Sequence, residues 1–140
     1  MIITAMNHLS AKWFKGHLPV AEVGDAEGVV AYDRGKLLAG CVMDTWTDTS
    51  VQCHLLIRNP IALRHGFLEI CFNYIFKARV KKLIYGFVPS DNVKALKFNK
   101  KLGFTEKCRL EGALKENVDC VIMELKKENC RYLGGNHANR

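Results

Sequence analysis

The chain has 140 residues, of which 49% are hydrophobic and 25% charged, and its formal net charge is +7. This length and composition are typical of one globular domain with its own core. No apolar run reaches the roughly 18 residues that a membrane-spanning helix needs, and the N-terminus lacks the pattern of a signal peptide. We therefore expect a cytoplasmic protein without a membrane partner, with one domain over residues 1–133 and a disordered tail over residues 134–140.

The first half of the chain predicts a short helix and three strands. Residues 8–17 suit a short helix that Ser10 caps. "GVVAYDRGKLLAGCVM" predicts two strands joined at Asp33-Arg34-Gly35, because glycine accepts the positive φ of a tight hairpin turn. "SVQCHLLI" predicts a third strand, and its continuous apolar end suggests burial on both faces.

A helix is predicted directly after the third strand. Asn59 is a good N-cap and Pro60 suits a first turn. Apolar residues then recur at helical spacing and give the helix one apolar face; they are Leu63, Phe67, Ile70, Cys71, Tyr74 and Ile75. Basic side chains stand at this junction, so it is either a phosphate site or an ordinary turn.

The second half predicts a strand, a helix and a closing hairpin. "KKLIYGFV" suits a strand, and "SDNVKALKFNKKLGF" suits a helix that begins at the capping residues 90–92 and ends at Gly103. "EKCRLEGAL" and "VDCVIMELK" complete the chain as two strands. The strand–helix–strand unit over residues 50–88 should be a right-handed parallel crossover, so the sequence predicts a mixed α/β sheet with antiparallel hairpins on both sides.

The positive charge is concentrated in residues 77–107. This window carries two acidic residues, Asp91 and Glu106, and nine basic residues: Lys77, Arg79, Lys81, Lys82, Lys94, Lys97, Lys100, Lys101 and Lys107. Such a local field suits a polyanion, which could be a nucleic acid, a membrane surface or a phosphorylated cofactor, although a solvated lysine-bearing face gives the same pattern. The window lacks interleaved surface aromatic residues that would stack on bases, so nucleic acid is not the expected partner.

Cysteines and short motifs exclude several chemistries. None of the six cysteines forms a CxxC pair, so we expect no metal; they are Cys41, Cys53, Cys71, Cys108, Cys120 and Cys130. Most lie in apolar segments, which predicts buried, reduced thiols. The patterns GxGxxG, GxxxxGKS, HExxH and GxSxG are absent from the sequence, which removes the usual support for dinucleotide-binding, nucleotide-binding and metalloprotease functions.

The second helix and the strands after it carry a family resemblance. "SDNVKALKFNKKLGF" followed by "EKCRLEGALKENVDCVIMEL" resembles the C-terminal half of GNAT-superfamily N-acetyltransferases, and it looks closest to small members encoded by bacteriophages. The matching positions are Asn92, Ala95, Phe98, Lys101, Leu102, Gly103 and Phe104. The resemblance implies an α/β (α+β) fold with a mixed, mostly antiparallel sheet, two central parallel strands that splay apart, and flanking helices.

The resemblance also implies a function. Acetyl-CoA would donate an acetyl group to a primary amine on a protein N-terminus, a lysine or a small molecule. The acceptor is therefore an amine-bearing protein or small molecule, and a homodimer stays open. The alternative is a GNAT-fold phage protein that has lost catalysis and acts as a binding or structural module.

The cofactor site that the resemblance implies lies between the splayed strands and at the following junction. Family members hold the pantetheine arm in the gap and the pyrophosphate on backbone N–H groups where the first strand enters its helix. The glycines of the family's loop are replaced here, so Arg58 and Arg64 are expected to contact phosphate directly. The implied cofactor-binding residues are Leu56, Ile57, Arg58, Asn59, Ala62, Arg64, Asn92, Ala95, Phe98 and Lys101.

The catalytic residues depart from the family's pattern. The family's usual acid, a tyrosine, falls at Asn99, which could hydrogen-bond a thiol, and its frequent base, a glutamate, falls at Phe87. His54 on the cofactor-side strand is the substitute base, since imidazole exchanges its proton near neutrality. A structural histidine, a hydrogen bond from Tyr85, and catalysis by positioning alone remain alternatives, and Ser90 is a weaker candidate that suits a helix cap.

Overall fold

The computed structural model describes residues 1–7 and 26–133. The predicted helix over residues 8–17 and the predicted tail over residues 134–140 lie outside this part of the chain. The strands are β1 (Ile2–Ala5), β2 (Glu27–Asp33), β3 (Lys36–Asp44), β4 (Ser50–Ile57), β5 (Leu83–Pro89), β6 (Thr105–Lys115) and β7 (Val118–Lys126). The α-helices are α1 (Ile61–Arg64), α2 (Phe67–Asn73) and α3 (Val93–Leu102), with a π-helical turn at Tyr74–Ala78 and a 3₁₀ turn at Lys127–Asn129.

The strands form one seven-stranded sheet in the order β1-β2-β3-β4-β5-β7-β6. Every neighbouring pair is antiparallel except β4 and β5, which run parallel. This arrangement confirms the predicted mixed, mostly antiparallel sheet with a parallel pair at its centre. Strand β1 was not predicted, because its four residues are too few to show an alternating pattern.

The predicted hairpin turn and helix end are both present. Arg34 and Gly35 connect β2 and β3 with φ angles of 52° and 78°, so both central residues have the positive φ of a type I′ turn. Gly103 ends α3 in the left-handed conformation at φ 110°. A Cβ at that position would also lie 3.2 Å from the Leu125 side chain, so both the backbone angle and the space favour glycine.

The sheet has two differently packed faces. The larger core lies on the face that α2 and α3 cover, and we call this the helix face; Phe67, Phe76 and Met123 are fully buried in it. On the opposite face, Val30 and Val42 form a smaller buried cluster against which Leu56 packs. Because side chains alternate along a strand, this divides β4: residues 53, 55 and 57 face the helices, and residues 54 and 56 face the other way.

The prediction of a single helix after β4 is wrong, because the helical segment is divided into two helices at Gly66. Helix α1 is one turn long, Gly66 then takes a left-handed φ of 82°, and α2 begins at Phe67. Glycine adopts this conformation with little cost, so it allows the chain to change direction there. Asn59 does cap the first turn, since its Oδ1 accepts a hydrogen bond from the Ile61 N–H at 3.1 Å. None of the described helices is long and apolar enough to cross a membrane.

Candidate active site

A gap opens between the two parallel strands at the centre of the sheet. Strands β4 and β5 pair at three positions only, and the last pair is Gln52 with Tyr85. They still touch one residue further on, because a Cβ at Gly86 would lie 2.9 Å from the Cys53 carbonyl oxygen. Beyond that point β5 continues against β7 and β4 continues against β3, so the two strands splay apart as predicted.

Main-chain groups of β4 face this gap. The Arg58 N–H donates to the Leu38 carbonyl on the β3 side at 2.8 Å. Successive residues of a strand direct their N–H and C=O groups to alternate edges, so the main-chain groups of Leu55 and Ile57 are directed toward β5. The ladder between β4 and β5 has already ended there. The gap is therefore edged by peptide groups that an extended amide-bearing molecule can pair with.

His54 and Asp44 form a hydrogen-bonded pair at the start of the gap. The imidazole Nε2 lies 3.0 Å from Asp44 Oδ2, and the two side chains are 10% and 13% exposed. A carboxylate only accepts hydrogen bonds, so Nε2 is the donor and the lone pair lies on Nδ1. Asp44 also accepts from the Thr45 hydroxyl at 3.1 Å. This carboxylate can fix the orientation of the ring and stabilise it when protonated.

Tyr85 belongs to the same face of the sheet. Its strand position is paired with Gln52, which in turn is paired with Asp44. Burial, with a further contribution from the Asp44 charge, raises the pKa of the Tyr85 hydroxyl. Tyr85 therefore keeps its proton and can donate a hydrogen bond, but it does not serve as a base.

Asn99 lies on the helix face, near the other side of the gap. Its Nδ2 is 3.8 Å from the sulfur of Met123, and Met123 is the cross-strand partner of Gly86. Asn99 is therefore one strand away from the gap, whereas His54 stands at the gap on the opposite face. The two residues predicted to be catalytic are not in contact, and they flank the gap from opposite faces of the sheet.

The junction after β4 uses most of its N–H groups internally. The N–H groups of Arg58 and Asn59 both donate to the Leu38 carbonyl, and the Ala62 N–H donates to the Asn59 carbonyl at 3.2 Å. The side chain of Ala62 is fully buried in the core. Arg58 and Arg64, by contrast, have exposed side chains. An anion at this junction would therefore meet guanidinium groups more readily than backbone donors.

The predicted cofactor residues on α3 have different surroundings. Asn92 is the N-cap, and its Oδ1 accepts a hydrogen bond from the Ala95 N–H at 3.2 Å. The side chains of Ala95 and Phe98 are half-buried and pack against the core on the helix face. The Lys101 side chain is exposed, and its main-chain carbonyl accepts a hydrogen bond from Arg131.

Replacing Asn92 with alanine should lower the free energy of unfolding by about 1 kcal/mol, because the cap of α3 is lost. Chemical denaturation with and without acetyl-CoA measures this change. Lys97→Ala, on the exposed surface of the same helix, is the control and should change stability little. A loss of acetyl-CoA affinity greater than the stability change explains would assign Asn92 a direct cofactor contact in addition to capping.

Three of the six cysteines meet on the helix face behind the gap. Hydrogen bonds from Cys53 and Cys71 lower the pKa of the Cys41 thiol well below its usual range. The bond with Cys41 raises the pKa of Cys53, and burial raises that of Cys71. The predicted buried, reduced thiols are confirmed for Cys41, Cys71 and Cys120, whereas Cys108 is exposed. Within residues 1–7 and 26–133, no group of metal-ligating side chains could hold a metal ion.

Comparison with solved structures identifies the fold. Spermidine N-acetyltransferase from Vibrio cholerae, in complex with CoA and spermine, superposes with a TM-score of 0.73 at 14% identity, covering 95% of this chain and 98% of that one. A protein from Streptococcus mutans gives 0.69 at 18% identity, covering 90% and 99%. A putative GNAT-family acetyltransferase from Desulfovibrio desulfuricans gives 0.62 at 13%, covering 72% and 69%.

No protein-family model and no curated protein matches the sequence. The structural matches nevertheless cover between 72% and 99% of this chain. The chain therefore has the GNAT fold, and the structures that it resembles include acetyltransferases.

Proposed function

We propose that this chain is an acetyl-CoA-dependent N-acetyltransferase acting on a primary amine. The observation that supports this function best is the gap between β4 and β5, with peptide groups on its edge and the His54–Asp44 pair at its start. A thioester donor needs an extended slot, and an amine acceptor needs a base. Both occur together here, on a fold whose solved examples include acetyltransferases.

The pantetheine arm of acetyl-CoA suits the gap chemically. It is an extended chain with two amide groups, and the peptide groups of Leu55 and Ile57 can pair with such amides as a neighbouring strand would. At Gly86 the two strands are still close together, since a Cβ there would lie 2.9 Å from the Cys53 carbonyl oxygen. The arm would therefore occupy the gap beyond this point, and the thioester would lie near His54.

The phosphates would lie at the junction after β4. Guanidinium groups bind phosphate oxygens through charge-assisted hydrogen bonds, and the exposed side chains of Arg58 and Arg64 supply them on either side of the one-turn helix α1. Lys101 and its neighbours on α3 add positive charge without a specific contact. Of the predicted cofactor-binding residues at this junction, Arg58 and Arg64 would therefore contact the phosphates, whereas the buried side chain of Ala62 packs in the core.

The acetyl transfer would use the two faces of the gap for different steps. The acceptor amine arrives on the His54 face, loses its proton to Nδ1 and attacks the thioester carbonyl. The resulting imidazolium is stabilised by Asp44. The departing CoA sulfur then needs a proton or a hydrogen bond; Tyr85, whose pKa is raised by burial and by Asp44, and Asn99 on the helix face are the nearby donors.

Replacing Arg64 with alanine should weaken acetyl-CoA binding by about tenfold or more, since a charge-assisted contact to phosphate contributes about 1.5–3 kcal/mol. Isothermal calorimetry measures the affinity. Arg109→Ala is the control, because Arg109 is an exposed arginine on β6 that pairs with Glu106 at 2.9 Å, away from the junction. If both variants bind as the unchanged protein does, Arg64 does not contact the cofactor.

Ligand-dependent stability tests the proposed function against its competitors. A ligand that binds only the native state raises the melting temperature, so acetyl-CoA should raise it and a DNA duplex should not. The reverse result would favour a nucleic-acid binder, and no shift with either ligand would favour a structural role. Hydrogen exchange locates the cofactor: acetyl-CoA should slow exchange of the Leu55 and Ile57 amides, and leave that of His54, which is directed toward β3, nearly unchanged.

A further inference from the structure

An apolar row crosses the sheet on the face that carries His54. Phe87 on β5 is opposite Ile122 on β7, and Ile122 is opposite Cys108 on β6. Phe87 is 48% exposed, and Leu110, one cross-strand row further along, is 50% exposed. Exposed apolar residues that stand singly are common, but a connected group beside a functional gap indicates a binding surface.

Phe87 lies across the gap from His54. Each residue comes two positions after the last parallel pair, Gln52 with Tyr85, so the two side chains stand on opposite sides of the opening and on the same face of the sheet. The Phe87 ring is also 6.2 Å from the Tyr85 ring. An acceptor whose amine nitrogen reaches His54 would therefore place its next few carbon atoms against Phe87.

The carboxylates on this face are already engaged. Asp44 accepts from His54 at 3.0 Å, and Glu124 lies 3.4 Å from the ammonium group of Lys107. Among the described residues, the strand positions directly next to Phe87 and Ile122 offer no further acidic side chain. A second ammonium group on the acceptor would compete with Lys107 for Glu124, whereas an apolar substituent would meet an open apolar surface.

From this arrangement we infer that the acceptor is an amine carried on an apolar, ring-bearing body, in the class of arylalkylamines, rather than a polycation. The inference rests on the proposed acetyltransferase function and names its acceptor. Paired strands lie about 4.8 Å apart and the splayed strands lie further apart, so a short linker between amine and ring is needed for the acceptor to reach from His54 to Phe87. The inferred acceptor thus differs from the spermine held by the Vibrio cholerae enzyme.

Steady-state acetylation of two amines tests the inference. Phenethylamine should have a kcat/KM at least about tenfold higher than that of 1,4-diaminobutane, because only the former gains from contact with the apolar row. Phe87→Ser should lower kcat/KM for phenethylamine by about tenfold or more and leave that for ethylamine within about twofold. Leu114→Ser is the matched control, since Leu114 is a 46% exposed apolar residue on β6 outside the apolar row, and this change should leave all three substrates unchanged.

Each outcome is decisive. If the diamine is the better substrate, or if Phe87→Ser affects phenethylamine and ethylamine equally, the acceptor class is wrong while the acetyltransferase function stands. If no amine is acetylated, the proposed function fails, and calorimetry of phenethylamine with the CoA-saturated protein then decides the binding surface. Binding that Phe87→Ser abolishes supports the apolar site, and absence of binding overturns it.

Discussion

Replacing His54 with glutamine should lower the rate of acetyl transfer by about 10²–10⁴-fold, the usual contribution of a general base, and leave acetyl-CoA affinity nearly unchanged. Glutamine has a similar size and keeps a donor for Asp44, but it cannot accept the proton of the amine. Single-turnover kinetics measures the rate of transfer, and calorimetry measures the acetyl-CoA affinity.

His65→Gln is the matched control for this substitution. His65 is an exposed histidine at the end of α1, so its replacement should leave the rate unchanged. A His54→Gln variant that keeps full activity would make His54 a structural residue. The chain would then catalyse transfer by positioning the amine and thioester alone.

Replacing Asp44 with asparagine should lower the rate by about 10–100-fold, which corresponds to the loss of a hydrogen bond to a charged group, about 1.5–3 kcal/mol. Asparagine keeps the shape of the side chain but no longer stabilises the protonated ring. KM for acetyl-CoA should stay nearly constant, because Asp44 is on the face opposite the helices.

A double-mutant cycle shows whether Asp44 acts through His54. If it does, Asp44→Asn should have little further effect in the His54→Gln background, since residues that act as a unit are not additive. Asp48→Asn, in the exposed loop after β3, is the control for a changed charge nearby. Equal effects of Asp44→Asn with and without His54 would mean that Asp44 acts by another route, for example by orienting Tyr85.

Local patterns predicted those parts of the fold that local forces determine. The segment "SVQCHLLI" coincides with β4, the predicted Asp33-Arg34-Gly35 turn holds the two positive-φ residues, and the predicted caps at Asn59 and Asn92 both make their hydrogen bonds. In the turn and the two caps, one residue type has a direct physical reason to stand at its position.

The parts that the sequence did not reveal depend on pairing between distant segments. Asp44 was missed because it stands ten residues before His54, and only the register of β3 against β4 brings the two side chains to 3.0 Å. That register was accessible in principle, since both strands were predicted and five residues separate them. The break at Gly66 could not be read from periodicity, because the apolar spacing continues through it.

Detection of acetyl transfer is the direct test of the proposed acetyltransferase function. The protein is incubated with isotopically labelled acetyl-CoA and phenethylamine, and mass spectrometry follows both the amine and the CoA. We expect labelled N-acetylphenethylamine and an equal amount of free CoA, with both products lowered together in His54→Gln. Acetyl-CoA that stays intact with a panel of amines and protein N-termini, or that is consumed without an acetylated product, would contradict it.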